Sequence, residues 1–273
     1  MKRTIRTWIA GVLASVMLGG LPGLAATAPL KIGVTPGAYA DSIQAAAVEA
    51  RKEGLEVQVI EFSDWTTPNL ALASKDLDAN YFQHKAFLDN AVKERGYAFQ
   101  VIGTGILPNI GLYSAHHKSF ADLPAGARVA IASDPVNQGR GLLLLQKAGL
   151  VRLREGVGFK ASLADIVDNP KKLKFTEVEG PQLVRVINDV DLAQGYPHFI
   201  VAAGTFDPGS ALLFSGIEDT QFALRFVARQ DNADDSRLKR FIQIYQQSPA
   251  VRTQIGKSYA NNAKLYNLAW LSQ

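Results

Sequence analysis

The chain has 273 residues, of which 47% are hydrophobic and 20% are charged, so it is long enough to bury a core and too apolar to be intrinsically disordered. Its net charge of +4 comes largely from the N-terminus, because without Lys2, Arg3 and Arg6 the chain carries 26 basic and 25 acidic residues. This near balance leaves no basic surface of the kind that binds nucleic acid, and no nucleic-acid partner is expected.

The N-terminal segment, residues 1–28, has the pattern of a secretory signal peptide. A basic start precedes the apolar run WIAGVLASVMLGGLPGLA, and Ala25, Ala26 and Ala28 are candidate cleavage positions. A retained membrane anchor is the alternative, although glycines and Pro22 interrupt the apolar run. Because the sequence contains no cysteine, neither disulfides nor a lipid-anchor cysteine is expected, and the predicted location is the periplasm.

The first segment after this leader, residues 30–61, has the pattern strand, helix, strand. Asp41 or Ser42 is predicted to cap the helix, Gly54 ends it, and the second strand begins near Val57. A βαβ unit of this kind implies parallel strands joined by a right-handed crossover.

The same alternation continues to the C-terminus and predicts an α/β protein. In chain order the pattern predicts a helix at 66–75, a strand entry at 76–82, a helix at 83–95, extended chain at 99–114, a strand at 127–132, a helix at 135–148, a strand at 173–179, a helix at 180–189, a strand or turn from 192, a strand at 222–229 and an amphipathic helix at 235–259.

Two extended segments, near 105–114 and 222–229, are placed where the chain would cross between lobes. The predicted fold is therefore two α/β lobes, each a mainly parallel sheet flanked by helices, with a ligand cleft between them. Residues 29–112 and 226–273 would form the first lobe, and residues 113–225 the second.

The segment SDPVNQGRGLLLLQKAGL, residues 133–150, begins a helix directly after a predicted strand. Ser133 or Asp134 is placed to cap the helix, and Pro135 suits its first position. Open α/β folds bind ligands at the carboxyl ends of parallel strands, where free amide groups favour an anion. The start of this helix is therefore a predicted anion site, with the amides up to Asn137 as donors.

Arg140 is the one cation near the start of this helix, where the helix dipole disfavours it. A guanidinium matches a carboxylate with two parallel hydrogen bonds, and Gly139 and Gly141 would leave room beside it. Arg140 is therefore predicted to clamp a ligand carboxylate. The alternative is a surface arginine paired with Asp134.

An aromatic cluster lies at a predicted junction between a strand and a helix, in DLDANYFQHKAFL, residues 76–88. Aromatic walls with a few polar tips suit a ligand that has an apolar tail and a polar head. The alternative is that these side chains belong to the core. The predicted contacts are Trp65, Tyr81, Phe82, His84 and Phe87.

The sequence offers no metal, cofactor or catalytic signature. His116, His117 and His198 do not have metal-ligand spacing with His84, and no metal or cofactor is predicted. The motifs G-x-S-x-G and H-E-x-x-H and the P-loop are absent, so the protein is not predicted to be an enzyme.

Several motifs occur together in one order: LKIGVTPG, EFSDW with PNLAL, DLDANYFQH, GLYS, DLPAGARVAIASDPVNQGRGLLLLQKAGL and DIVDNPKKLKFTEVEGPQL. Together they resemble the NlpA lipoprotein family, the methionine-binding proteins of ABC importers. The resemblance implies a periplasmic binding protein whose two lobes close on an amino acid and then dock on the importer's permease. It also implies that Arg140 holds the substrate carboxylate and that Trp65, Phe82, His84 and Phe87 line the side-chain pocket.

Two features depart from the family pattern. The lipid-bearing cysteine is missing, and the N-T-N pattern that follows D-V-D in the family is replaced in DVDLAQGYPHFIVAAG by Tyr196 and His198. In the family, one asparagine of that pattern binds the polar head of the amino acid. A neutral imidazole has a donor and an acceptor on opposite edges of its ring, unlike an amide. Either methionine is still bound, or the ligand is a different acid, such as a dipeptide or an amine-free organic acid.

The resulting prediction is a monomeric periplasmic protein that delivers methionine or a related carboxylate to an ABC permease. Two other classes of function stay open. One is an enzyme that kept the fold and uses His84 or His198 as a base. The other is an adhesin or a periplasmic partner protein without a transport role.

Overall fold

The computed structural model describes residues 28–271, so the predicted signal peptide lies outside the described residues except for its last position. The first elements are β1 (Leu30–Val34), α1 (Ala38–Lys52), β2 (Val57–Glu61), α2 (Thr67–Ala73), β3 (Ala79–His84), α3 (Lys85–Arg95), β4 (Phe99–Thr104), β5 (Ile106–Pro108), β6 (Gly111–Tyr113), β7 (Arg128–Ala132) and α4 (Pro135–Lys147). They are followed by β8 (Arg152–Leu153), β9 (Ile166–Asp168), β10 (Lys174–Val178), α5 (Leu183–Val186), β11 (Leu192–Gly195), α6 (Pro197–Ala203), β12 (Leu213–Phe214), β13 (Leu224–Arg229), α7 (Ser236–Gln247), α8 (Pro249–Ser258) and β14 (Tyr266–Leu268).

Two five-stranded sheets organise the chain. The sheet of the first lobe has the order β2-β1-β3-β13-β4, and that of the second lobe has the order β10-β7-β11-β6-β12. In each sheet four strands run in one direction, and the single reversed strand is β13 in the first and β6 in the second. Helices flank both sheets, so the predicted α/β fold with mainly parallel sheets is confirmed.

The helices bury one face against these sheets. On α7 the apolar residues recur at the spacing that places them on one side of a helix, and this side packs against α1 and the first sheet. The buried residues of α7 are Leu238, Phe241, Ile242, Ile244 and Tyr245. Among residues 28–271, no helix combines the length and apolar character that crossing a membrane requires.

The chain passes between the two sheets twice, at 105–110 and at 215–223. Within the first passage, β5 pairs with β14 from the C-terminal end of the described chain. The predicted lobe boundaries at 112/113 and 225/226 fall inside β6 and β13, which are complete strands of opposite lobes. The division into lobes stays a prediction, and we place its boundaries in the two passages.

Two local predictions are wrong. The helix predicted at 235–259 is two helices, because Pro249 has no amide hydrogen to continue α7; Ser248 instead ends α7 and caps α8. Neither Asp41 nor Ser42 caps α1, which begins at Ala38 after Gly37, a residue with a positive φ of 83°.

The two glycines beside Arg140 serve close packing instead of leaving room for a ligand. A Cβ on Gly139 would lie 2.0 Å from the main-chain oxygen of Phe159, and a Cβ on Gly141 would lie 2.4 Å from Oε1 of Gln194. The short turn at 158–160 and strand β11 therefore press directly against the backbone of α4.

Replacing Gly139 with Ala tests this packing. In an open helix the change would stabilise by about 1 kcal/mol, whereas here we expect a loss of about 1–3 kcal/mol because the Phe159 main chain must move. Gly256→Ala in α8 is the control, since its Cβ would meet no main-chain atom, only the side chains of Asn261 at 3.2 Å and Tyr266 at 3.6 Å. Urea denaturation of both variants measures the difference. A Gly139→Ala protein as stable as the parent would contradict the close contact.

Candidate ligand-binding site

The start of α4 forms one wall of the site. Asp134 caps the helix: its Oδ1 accepts from the Asn137 backbone N–H at 2.9 Å, and both carboxylate oxygens accept from the Asn137 side-chain amide at 3.1 Å. The Ser133 N–H donates to the Val178 carbonyl. Because the amides of Ser133 and Asn137 are engaged inside the protein, the predicted anion contact at this helix falls mainly on Arg140.

Arg140 is a buried cation, with only 7% of its surface exposed. Its guanidinium donates one hydrogen bond, to Oδ1 of Asn137 at 3.2 Å, and lies over the ring of Phe222 with 4.0 Å between the guanidinium carbon and the ring centre. Burial lowers its pKa below the usual arginine value. Among the described residues no carboxylate lies within 4.0 Å of it, so the alternative of a surface ion pair with Asp134 is wrong.

A cavity of about 330 Å³, part of which is open to solvent, lies next to Arg140, between the two lobes. β3, α3, β5 and β13 contribute one side, and α4 and the end of β11 contribute the other. Its walls are mostly aromatic or apolar. The lining residues are Tyr39, Trp65, Phe82, Gln83, His84, Phe87, Pro108, Asn137, Arg140, Tyr196 and Leu224.

A second, larger pocket of about 610 Å³, also partly open to solvent, borders the other side of Arg140. Leucines of α4 and Leu107 form its floor, but Lys147 and Glu218 at its edge are exposed. The first cavity suits a buried carboxylate better, because its polar residues are themselves buried.

His84 links the lobes in one defined tautomer. It caps α3, where its Nδ1 accepts from the Phe87 N–H at 3.2 Å, so Nε2 carries the proton and donates to Oδ1 of Asn137 at 3.3 Å. Burial, assisted by the charge of Arg140, lowers the pKa of His84 to about 3. The imidazole is therefore neutral at physiological pH.

Trp65 reaches from the first lobe into the second. Its ring packs edge-on against Tyr196 at 5.4 Å between ring centres, and a Cβ on Gly180 would lie 2.0 Å from it. Its indole nitrogen is buried and has no hydrogen-bond partner among the described residues. Only a glycine at position 180 lets the ring lie this close to the second lobe.

The structure brings together seven of the nine predicted site residues. Those that line the cavity are Trp65, Phe82, His84, Phe87, Asn137, Arg140 and Tyr196.

Tyr81 lies in the core of the first lobe instead. Its hydroxyl accepts from the Ile106 N–H at 2.9 Å and bonds the Tyr245 hydroxyl at 2.8 Å. Successive residues of a strand point to opposite faces, so Tyr81 and its neighbour Phe82 do not share an environment.

His198 also lies outside the cavity wall. Its ring stacks on Tyr39 across the lobes, with 4.3 Å between ring centres, and neither ring nitrogen has a hydrogen-bond partner among the described residues. Burial lowers its pKa to about 3. Its place at the start of α6 turns the imidazole toward α1.

Five residues at the site were not predicted from sequence. Tyr39, Gln83, Pro108 and Leu224 line the cavity, and Phe222 lies under Arg140. Leu224 and Phe222 stand at the second passage between lobes, which the sequence did mark as extended. The positions of Tyr39 on α1 and of Pro108 depend on how the lobes meet, for which the local sequence has no signal.

The two sheets, the two passages and the cavity between the lobes define a two-lobed binding protein. A model of the NlpA lipoprotein family matches residues 30–266. The D-methionine-binding lipoprotein MetQ of Escherichia coli O157:H7 is 40% identical over 219 residues, which make up 80% of this chain and 81% of the relative.

Solved structures that resemble this chain are also binding proteins of this type. A nutrient binding protein from Burkholderia cenocepacia bound to methionine is 40% identical, with a TM-score of 0.79 over 85% of this chain and 97% of that chain. An ABC transporter periplasmic substrate-binding protein from Coxiella burnetii is 37% identical, with a TM-score of 0.79 and the same coverage. This chain belongs to the NlpA lipoprotein family, so the predicted family is confirmed.

Replacing Tyr81 with Phe tests its role in the core. The change leaves the buried Ile106 N–H without its acceptor, and we expect the free energy of unfolding to fall by about 1–3 kcal/mol. Tyr97→Phe is the matched control, because Tyr97 is half-buried and its hydroxyl has no hydrogen bond in the described structure. Chemical denaturation compares the two. Equal stabilities of both variants would contradict the assignment.

The two buried histidines make stability depend on pH. Their pKa values of about 3 lie below the ordinary value of 6.5, so between these values the unfolded chain binds more protons than the folded protein. The free energy of unfolding should therefore fall as the pH drops from 6.5 toward 3. His198→Phe keeps the stacked ring and should weaken this dependence by about one proton in denaturation measured at pH 7 and 4.5. An unchanged slope would mean that His198 is not held neutral.

Proposed function

We propose that this protein is the periplasmic substrate-binding protein of an ABC importer, and that it delivers methionine or a related small carboxylate to the permease. The observation that carries the proposal is the buried guanidinium of Arg140, which faces an interlobe cavity and has no carboxylate within ion-pair distance in the described structure. A buried charge without a counter-charge is costly, and a bound carboxylate would compensate it.

The ligand's carboxylate would accept hydrogen bonds from the guanidinium, whose fork suits two parallel contacts. Oδ1 of Asn137 holds one guanidinium nitrogen in place and is itself bonded by His84. Phe222 supports the guanidinium from one face. These contacts fix the direction of Arg140 before a ligand arrives, which reduces the entropy lost on binding.

The apolar tail would lie among the rings at the other end of the cavity. Trp65, Phe82 and Phe87 meet edge to face there, with 5.9 Å between the ring centres of Phe82 and Phe87. A thioether is polarisable and makes favourable contacts with aromatic ring edges. The relatives named for methionine binding have a ligand of this kind, which supports methionine or a molecule of its size.

Closure of the lobes is the step that we propose to couple binding to transport. Residues of both lobes surround the cavity, and several contacts cross between the lobes, among them His84 with Asn137 and Trp65 with Tyr196. A ligand that contacts both lobes stabilises the closed arrangement over an open one, and the closed form would be recognised by the permease.

The remaining features of the prediction are proposals of the same kind. They are a periplasmic location after removal of the leader, action as a monomer without catalysis, and the absence of a lipid anchor. The relatives are named for binding and not for catalysis, and one of them is described as periplasmic. No group of three or more potential metal ligands occurs among the described residues.

Replacing Arg140 with Ala tests the carboxylate contact. We expect binding of methionine-sized carboxylates to weaken by about 2–5 kcal/mol, because the ligand's charge would be buried without a partner. Arg152→Ala is the control, since Arg152 is exposed on β8 of the same lobe. Titration calorimetry and ligand-induced thermal shifts measure both. Unaltered affinity in the Arg140→Ala protein would refute the contact.

A further inference from the structure

The polar side chains of the cavity wall offer more free hydrogen-bond donors than free acceptors. Among residues 28–271, Arg140 is the only ionised side chain that lines the cavity, and no carboxylate lines it. An α-amino acid places a carboxylate and an ammonium on the same carbon, so its binding site must supply counter-groups for both. The acceptors available to an ammonium therefore decide which class of acid the site takes.

The side-chain acceptors of the amides and of His84 are already engaged by protein donors. Oδ1 of Asn137 accepts from both Arg140 and His84, and Nδ1 of His84 accepts from the Phe87 N–H. Oε1 of Gln83 accepts from Asn69 at 3.1 Å. None of these groups carries a negative charge, and the Asn137 oxygen directly faces the guanidinium.

The two tyrosines of the wall do not supply an anion. The Tyr196 oxygen accepts from Nε2 of Gln194 at 3.2 Å, which leaves its O–H free to donate. Burial raises the pKa of Tyr39 and of Tyr196, so both phenols stay protonated. They are neutral groups that give an ammonium no counter-charge.

Two carboxylates whose charges act on Arg140 are hydrogen-bonded to other groups. Asp134 caps α4 and accepts from the backbone and side chain of Asn137, and Asp219 accepts from the backbone N–H and the side-chain amide of Gln221. Neither residue lines the cavity. An ammonium in the cavity would therefore lie near a guanidinium, and no carboxylate of the described residues lines the cavity beside it.

Donors, in contrast, remain available. The Arg140 guanidinium has five N–H groups and uses one within the described structure. Within the described part of the chain, the buried Trp65 indole N–H has no partner, and the Tyr196 O–H has no acceptor. A ligand head that offers acceptors and carries no positive charge would satisfy these groups.

We propose that the preferred ligand is a small carboxylate with an apolar, methionine-sized tail and an oxygen instead of an ammonium on the α-carbon, that is, a 2-oxo or 2-hydroxy acid. The inference rests on the proposed function of the same site and narrows its substrate class. The carboxylate neutralises Arg140, and the α-oxygen supplies an acceptor where methionine would present three N–H donors and a positive charge.

Titration calorimetry with ligands that share one tail tests the proposal. The probes are L-methionine, D-methionine, 4-methylthio-2-oxobutanoate and 2-hydroxy-4-methylthiobutanoate, at pH 7 on the mature protein purified without bound ligand. We expect the oxo or the hydroxy acid to bind at least ~10-fold more tightly than either methionine, a difference of about 1.4 kcal/mol. Methionine binding as tightly as both amine-free acids would overturn the inference and leave the proposed function standing. Binding of none of the four would overturn both.

A pH series separates the charge of the amine from its shape. As the pH rises past the pKa of methionine's own amine, methionine loses its ammonium, and its affinity should rise toward that of the oxo acid. The affinity of the oxo acid, which has no amine, should stay level over the same range and is the internal control. A methionine affinity that falls as its amine loses the proton would show that the site recognises an ammonium.

Two substitutions at Tyr196 give opposite expectations. Tyr196→Phe removes an O–H donor and should weaken the oxo acid by about 10-fold, whereas the control Tyr97→Phe, far from the cavity, should not. Tyr196→Asp supplies the missing anion and should shift the ratio of affinities toward methionine. The ratio is measured within one protein, so a general loss of stability does not imitate the effect. A ratio that Tyr196→Asp leaves unchanged or moves toward the oxo acid would contradict the proposal.

Discussion

The site depends on one buried positive charge that the protein itself does not neutralise. The guanidinium of Arg140 is supported by an amide oxygen on one side and by the Phe222 ring on the other, and neither removes its charge. The contacts of the neighbouring residues follow from holding that charge away from water. Asp134 is held by Asn137, and His84 is neutral because burial and Arg140 both disfavour its protonated form. A buried charge of this kind lowers the stability of the protein, and a bound carboxylate would compensate that loss.

The topology explains how the charge comes to lie between two lobes. α4 follows β7 in the second sheet, so Arg140 belongs to one lobe, whereas Phe82 and His84 stand at the end of β3 in the other. Each passage between the lobes leads into the one reversed strand of a sheet, β6 or β13. Both passages therefore enter the lobes close to the carboxyl ends of their parallel strands, where open α/β sheets bind ligands.

Much of this site was predictable because its signals are local. A strand, a capping Asp134, Pro135 and a lone arginine follow one another directly, and the structure keeps them in that relation. The residues that sequence analysis missed or misplaced depend on contacts between distant segments. Phe222 meets Arg140 only through the fold, and Tyr81 was assigned to the pocket because neighbours on a strand look equivalent in a sequence.

The helical regions also show where prediction from the sequence pattern fails. The periodicity of 235–259 was read correctly as helical, but Pro249 divides it, since a proline ends a helix whatever the apolar pattern. His198 was assigned to the ligand's head from its place in a motif. Its orientation is set instead by the face of α6 that packs on Tyr39.

The pairing of β14 with β5 has a consequence for how the protein is made. The second lobe is continuous in sequence, so all of it emerges before the first lobe is complete. The first lobe still lacks β13 at that stage, and the strand that pairs with the passage at 105–110 comes from residues 266–268, which are synthesised later still. A chain released early would therefore hold one finished half and an unsupported connection. The docking of β14 on β5 is therefore the step that gives this connection its support.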